Sequence, residues 1–198
     1  MPQLPLADPL QWFRIWMDDA RASSKDDPTA MSLATVDADG QPTTRIVLLK
    51  AFDRKGFVFY TNLKSAKARH LQSQPKAGLC FLWYSLGRQV RIDGTARLVD
   101  DEEADAYFAT RARGSQIGAW ASKQSAPMDD RHSLERRVKK IEARFEGRPV
   151  ERPPFWSGYR VVPATIEFWQ MRPDRLHDRW RFERIGDDWQ WQRQRLYP

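Results

Sequence analysis

The sequence predicts a mainly β protein of the α+β class: an antiparallel sheet closing into a barrel, with helices at its periphery. Three observations carry that expectation. About eight or nine short runs rich in β-branched and aromatic residues are joined mostly by tight turns, the pattern of an antiparallel barrel. The helical stretches lie at the start and in the middle of the chain instead of alternating with strands, which argues against a doubly wound α/β fold. There is no G-x-G-x-x-G and no P-loop, so any nucleotide must be held by side chains and strand ends, not by a glycine cradle at a helix start.

At 198 residues the chain is one domain or two small ones, with ample length for a buried core. Charged residues make up 30% and hydrophobic residues 41%, which suits a soluble globular protein. The net charge of +7 and the pI near 9.7 permit nucleic acid, an anionic surface or phosphorylated small molecules as partners, without choosing among them. The single cysteine, Cys80, excludes an intrachain disulfide and is expected to be a small core residue in the apolar run 78–83. The N-terminal sequence has no basic region followed by an apolar stretch, and no run of about 18 apolar residues could span a bilayer. We therefore expect a cytoplasmic protein with no membrane partner.

In chain order, Asp8 and Pro9 open a helix whose stripe is Leu10, Phe13, Trp16, Met17 and Ala20. A polar connector at 23–28 leads to two strands, 30–36 and 42–52, around a hairpin turn at 37–40. A second turn at 53–56 precedes the strand 57–61. A short helix at 65–74 is broken by Pro75, and the nearly all-apolar run 77–83 is expected to be a central strand. Leu86-Gly87 turns the chain into the strand 88–99. Asp100 and Glu103 are placed for a capping box, with Ala104, Tyr107, Phe108 and Arg111 along the helix that follows. A further short helix is expected at 114–121. An amphipathic helix spans 133–145, with Leu134, Val138, Ile141 and Phe145 on one stripe. After Gly147 and the stiffening Pro149, Pro153 and Pro154, two β runs meet at Pro163, whose missing N–H interrupts a ladder. The strands 179–185 and 189–196 follow, joined by a turn at 186–188.

Several clusters could carry chemistry. Arg175, His177 and Arg179 occupy every second position, so an extended chain would point all three one way, and an anion among them would relieve their repulsion. A solvated basic edge strand is the alternative. In Arg45-Ile46-Val47-Leu48-Leu49-Lys50, strict alternation would put the two cations on opposite faces unless a bulge or strand end intervenes. Tyr60, Thr61, Asn62, Ser65 and Lys67 sit at a strand-to-helix junction that suits either a phosphate or an ordinary helix cap. Tyr107, Arg111 and Ser115 are spaced by four and share a face if one helix continues that far. Gln124-Ser125 lies in an irregular polar segment. His70, His132 and His177 are scattered and Cys80 stands alone, so no metal site is expected. No G-x-S-x-G elbow supports a Ser-His-Asp hydrolase.

Taken together, these clusters resemble the pyridoxine/pyridoxamine 5'-phosphate oxidase family. The matching segments are RIVLLK (45–50), YTNL (60–63), RQV (88–90), SQIGAW (115–120), KQS (123–125), FWQ (168–170), RLHDR (175–179) and RLYP (195–198), in family order over roughly residues 8–198. The resemblance implies a split β-barrel with peripheral helices, a single FMN-binding domain over 1–198 with a helical insertion at about 100–146, and a homodimer with FMN at the subunit interface. It implies FMN contacts at Arg45, Ile46, Val47, Leu48, Leu49, Lys50, Tyr60, Thr61, Lys67, Gln89, Gln124, Ser125, Trp169 and Arg179. It implies substrate contacts at Lys50, Tyr107, Arg111, Ser115, Arg175 and His177, the last two over the reacting ring and counted as catalytic. The implied reaction is hydride removal from C4' of pyridoxamine or pyridoxine 5'-phosphate, giving pyridoxal 5'-phosphate, with O2 as acceptor and hydrogen peroxide as product.

Two departures from the family pattern are expected to matter. Relatives carry an Arg-bearing segment ahead of the first helix that can fold over the substrate, and this chain is expected to lack most of it. The family reads Ser-Arg-Lys where this chain reads Ser65-Ala66-Lys67, so one FMN-phosphate contact is missing. Two rival readings are a related flavin oxidase of another pathway, such as phenazine biosynthesis, and a nucleic-acid-binding barrel whose aromatics stack bases. The first would be expected to lose some substrate-phosphate residues, all of which are present here.

Overall fold

The computed structural model describes residues 7–23, 26–186 and 188–198. Residues 1–6, part of the 23–28 connector and Asp187 in the last turn lie outside them. Helix α1 (Pro9–Ser23) begins where Asp8 Oδ1 accepts from the Leu10 N–H at 2.9 Å, and Pro9 fills the first turn, where no intrahelical N–H bond is due. Its buried face carries Trp12 as well as the expected stripe. Phe13 meets Phe52, Phe57 and Phe81 edge to face at centroid separations of 4.9, 5.0 and 5.1 Å, a favoured geometry for aromatic pairs. Trp12 packs in the same way on Phe168 and Phe182. The helix thus docks into the core of the sheet.

Among the described residues, nine strands form one antiparallel sheet: β1 (Ala30–Val36), β2 (Pro42–Leu48), β3 (Ala51–Asp53), β4 (Gly56–Asn62), β5 (Lys76–Trp83), β6 (Arg88–Leu98), β7 (Trp156–Gln170), β8 (Asp178–Ile185) and β9 (Gln190–Leu196). The order is β2-β1-β5-β6-β7-β4-β3, with β8 joined to β7 and β9. The expected strand at 42–52 is in fact two, broken at Leu49-Lys50. There Leu49 N–H bonds Thr29 O at 2.9 Å and Lys50 N–H bonds Val58 O of β4 at 2.8 Å, which brings the two ends of the sheet together. Local alternation carries no trace of that long-range closure.

The two β runs expected to meet at Pro163 are one 15-residue strand, β7. Residues 156–161 pair with β4, and residues 165–170 pair with β8, while β6 runs along both halves. Pro163 sits where β7 changes its second neighbour, so its missing N–H removes no bond on that side. The register slips at this point: Gly94 faces Pro163 and Asp93 faces Thr165. A Cβ on Gly94 would lie 2.2 Å from Val162 O, so the slip needs glycine there.

Helix α2 (Ala66–Ser73) follows β4, and α3 (Asp101–Ala109), α4 (Arg113–Ala121) and α5 (Arg131–Arg144) form the insertion before β7. Asp100 caps α3 by accepting from Glu103 N–H at 2.7 Å. The reciprocal half of the expected capping box is replaced by an ion pair, because the Glu103 carboxylate binds Arg160 at 2.8 Å. On α5 no residue is fully buried; Val138 and Ile141 pack half-buried on a second small core of Phe108, Ile117, Phe145, Val150 and Trp156. Cys80 is also displaced from its expected place. Core positions on β5 are Leu79, Phe81 and Trp83, so parity turns Cys80 to the outer face, where it is half-buried and burial pushes its thiol pKa up. No helix among the described residues is long and apolar enough to cross a membrane.

Candidate functional site

The break between β2 and β3 opens a cavity of about 680 Å³ against α3, α4 and the start of β7. Among the described residues, four cations line it, Arg45, Lys50, Lys67 and Arg111, and no carboxylate does. Such a cavity selects an anion, because cations held together in partial burial gain most from a negative guest.

At one side, Lys67 is only 9% exposed, and its Nζ donates to Thr61 Oγ1 at 3.2 Å, Ser65 Oγ at 3.3 Å and Gln124 Oε1 at 3.4 Å. All three partners are neutral. Burial, then the nearby charge of Arg45, hold the Lys67 pKa below its ordinary value. Ser65 makes no side-chain cap on α2; its hydroxyl faces Thr61 and Lys67. Of the two readings open in the sequence, a phosphate site or an ordinary helix cap, the side-chain cap is absent.

Arg45 is braced from behind. Its Nη1 donates to Thr35 Oγ1 and its Nη2 to Thr43 Oγ1, both at 2.6 Å. Those two threonines face each other across β1 and β2, and both hydroxyls lie near His70 Nδ1, at 3.1 and 3.3 Å. Burial holds the Arg45 pKa down.

At the other side, Tyr60 stacks on Tyr107 at 4.0 Å and on Trp156 at 5.2 Å. The Arg111 guanidinium lies 4.8 Å from the Trp156 ring centre, a cation–π contact. Arg111 Nη1 is buried with no hydrogen-bond partner among the described residues, a donor left for a guest. Burial lowers its pKa, and burial with the Glu103 charge pushes Tyr60 up to about 12. Burial raises Tyr107 as well. Tyr107, Arg111 and Ser115 do converge, though not along one helix. Helix α3 ends at Ala109, Arg111 lies in the bend, and Ser115 belongs to α4.

The remaining expected residues do not line this cavity. Leu49 points into the core at 4% exposure, so its side chain makes no wall, and Ser125 is exposed with a positive φ of 68° beside Gln124. Gln89, Trp169 and Arg179 are direct neighbours across β6, β7 and β8, forming one row on the outer face of the sheet. Arg179 binds Glu167 at 2.8 Å and Tyr197 O at 3.0 Å. His177 packs on Trp169 with ring centres 4.5 Å apart. Arg175 lies nearby in sequence, but the expected extended run with all three side chains on one face is absent. Pro173–Arg175 form a 3-10 turn in which Asp174 and Arg175 have φ of 56° and 61°, because Pro173 starts a turn and His177 closes it. The residues expected to form the site therefore fall into two clusters, one in the cavity and one on the outer face. Exposed apolar side chains accompany both: Ile46 and Leu48 on β2, Leu82, Met171 and Leu176 near the row.

Residues 17–145 match the family described as pyridoxamine 5'-phosphate oxidase, and residues 156–198 match the pyridoxine 5'-phosphate oxidase C-terminal dimerisation region. The chain belongs to the pyridoxamine 5'-phosphate oxidase family. Among relatives of this oxidase family, the pyridoxine/pyridoxamine 5'-phosphate oxidase of Caulobacter vibrioides is 55% identical over 197 residues, covering 100% of this chain and 88% of the relative. That of Rubrobacter xylanophilus is 54% identical over 191 residues, covering 96% and 87%. The crystal structure of PhzG from Burkholderia lata 383, in complex with tetrahydrophenazine-1-carboxylic acid, superposes with a TM-score of 0.92 at 32% identity, covering 100% of this chain and 97% of that one. A pyridoxamine 5'-phosphate oxidase-related, FMN binding protein from Nostoc punctiforme shares the fold, with a TM-score of 0.77 at 21% identity, covering 98% and 100%. The fold is that family's split barrel.

Sequence reasoning missed Thr35, Thr43, His70 and Trp156. The two threonines had a signal, since a turn at 37–40 puts 35 opposite 43. Trp156 had none, because its role depends on a helix distant in sequence.

Proposed function

We propose that this chain is an FMN-dependent oxidase that converts pyridoxamine 5'-phosphate or pyridoxine 5'-phosphate to pyridoxal 5'-phosphate. The observation that carries the reading is the cavity lined, among the described residues, by four cations and no carboxylate, with Lys50, Tyr107, Arg111 and Ser115 all on its wall. Two separate donor groups fit two phosphates. Lys67, with Thr61, Ser65 and Gln124 around it, suits the phosphate of FMN. Arg111, with its unpartnered Nη1, and Lys50, Tyr107 and Ser115 suit the phosphate of the substrate. The identity of 54–55% to oxidases named for the B6 vitamers supports this over a phenazine substrate, since the phenazine-bound structure is 32% identical.

Bound FMN would supply the two-electron acceptor for hydride from C4', with O2 taking the electrons onward to hydrogen peroxide. The chain's own residues bind and orient. Arg45, Ile46, Val47, Leu48 and Lys50 line the flavin side, and Arg175 and His177 hold the substrate ring. Those two belong to the outer-face cluster, as do Gln89, Trp169 and Arg179, so we propose a homodimer in which the outer row of one chain completes the cavity of the other. The exposed Ile46, Leu48, Leu82, Met171 and Leu176 favour a covered face. The test is an assay of peroxide and pyridoxal phosphate from each substrate with added FMN, alongside light scattering. Product from neither substrate would refute the activity; a fully active monomer would refute the shared site.

A further inference from the structure

The loop from β7 to β8 fixes the state of one side chain. Met171 N–H bonds Gly87 O at 2.7 Å, and Leu176 N–H bonds Pro173 O at 3.0 Å, so the loop is tied at both ends. Within it, the Arg172 backbone N–H donates to His177 Nδ1 at 3.1 Å. Arg172 Nε binds Asp178 Oδ2 at 2.7 Å, and Asp178 Oδ1 takes Arg195 at 2.6 Å, which holds the residue on each side of the turn in place.

A backbone N–H can only donate. The Nδ1 it faces must therefore offer a lone pair. A neutral imidazole carries one proton, so that proton sits on Nε2. We propose that His177 meets the substrate as a fixed Nε2–H hydrogen-bond donor, with the Arg172 N–H setting its tautomer, and that it is not the group that accepts a proton in the reaction. This rests on the reading that Arg175 and His177 face the substrate. The ligand atom it suits is an oxygen or nitrogen lone pair on the substrate ring. To act as a base His177 would have to release Arg172 N–H or shed its Nε2 proton first. The same bond closes the turn that places Arg175 in its left-handed conformation, so one contact orients both residues.

The test uses the full chain with FMN bound, labelled with ¹⁵N, and a proton–nitrogen correlation through the imidazole ring. The sequence has 3 histidines, and the signals lost in His177→Asn identify the one in question. The expected pattern is a proton on Nε2 and a bare Nδ1. A proton on Nδ1 would overturn the proposal. Two variants separate the roles. His177→Asn puts an amide oxygen near the Nδ1 position and keeps the loop bond, but has no donor at the far side. His177→Gln puts an amide N–H near the Nε2 position. We expect Asn to lower kcat/KM about tenfold to a hundredfold, and Gln to retain clearly more than Asn. Equal losses would overturn the donor role, since neither amide can take up a proton and a lost base would disable both alike. A parent enzyme that makes no pyridoxal phosphate would overturn the function and the donor role with it, whatever tautomer the spectrum reads.

Discussion

Replacing Lys67 with Met should move cofactor affinity and apo-protein stability in different directions. Lys67 is 9% exposed, its ammonium touches three neutral oxygens, and no carboxylate among the described residues lines its cavity. Two unit charges 4 Å apart at an effective dielectric near 20 interact by about 4 kcal/mol. The net worth of a hydrogen bond to a charged group is about 1.5–3 kcal/mol. The cavity opens to water, so the lower figure governs, and FMN should bind roughly tenfold to 150-fold more weakly in Lys67→Met. Riboflavin, which has no phosphate, should bind the variant as it binds the parent. In the apo-protein the substitution removes a cation that burial and Arg45 disfavour, so stability should be unchanged or higher by up to about 1 kcal/mol, a rise in Tm of no more than about 4 °C. The sign of the pH effect follows. Because the folded-state pKa is depressed, the parent apo-protein gains on the variant as pH rises through that pKa toward the ordinary lysine value of about 10.4. Flavin fluorescence titrations and calorimetry of both proteins measure all of this. If riboflavin weakens as much as FMN, or the apo-protein melts several degrees lower, Lys67 is a structural residue and the phosphate assignment is wrong.

The departure at Ala66 gives the converse. Ala66→Arg should tighten FMN by about 1–2 kcal/mol on the scale of charge-assisted hydrogen bonds, less so in high salt, and leave riboflavin unchanged; equal effects on both ligands would mean that position 66 does not face the phosphate. Arg175→Ala should cut kcat/KM for pyridoxamine phosphate about tenfold to a hundredfold while FMN stays bound, and near-normal turnover would remove Arg175 from the mechanism. Alkaline titration followed by tyrosinate absorbance should show Tyr60 ionising near pH 12, late because of burial and the Glu103 charge. Since the unfolded chain ionises that residue near pH 10, stability should fall between about pH 10 and pH 12; Tyr60→Phe should flatten that fall, and an unchanged slope would refute the coupling.

The sequence was most legible where local pattern and tertiary role agree. β1 (Ala30–Val36) has the predicted bounds because its alternation has one buried face, and α1 opens at Asp8-Pro9 because capping is a local event. It was least legible where a distant neighbour decides. Alternation through Leu49-Lys50 gives no hint that Val58 O takes the Lys50 N–H. Pro163 reads as a break unless one knows that β7 exchanges β4 for β8 there. The run Arg175, His177, Arg179 reads as extended because nothing local says that Asp174 and Arg175 adopt positive φ. Many of the residues that line the cavity stand in the sequence motifs, but Trp156 does not, and the spacing argument for Tyr107, Arg111 and Ser115 rested on one helix where the chain uses two. The division of the expected residues into two clusters is a property of the fold, not of any motif.

Strand β7 also bears on where this chain can be cut. The two family matches meet between residues 145 and 156, which invites treating 156–198 as a detachable module. Yet β7 starts at Trp156 and lies between β4 and β6 before it pairs with β8. Removing it would strand two ladders of N–H and C=O groups in the middle of the barrel and uncover Phe59 and Val90, both 0% exposed. The severed N-terminal piece would be a sticky half-sheet prone to aggregation, and the C-terminal piece a hairpin with one strand to spare. Fusions, swaps between relatives and split reporters built at this boundary should therefore fail unless the two pieces are made together, so that β7 can slot in as the missing rung.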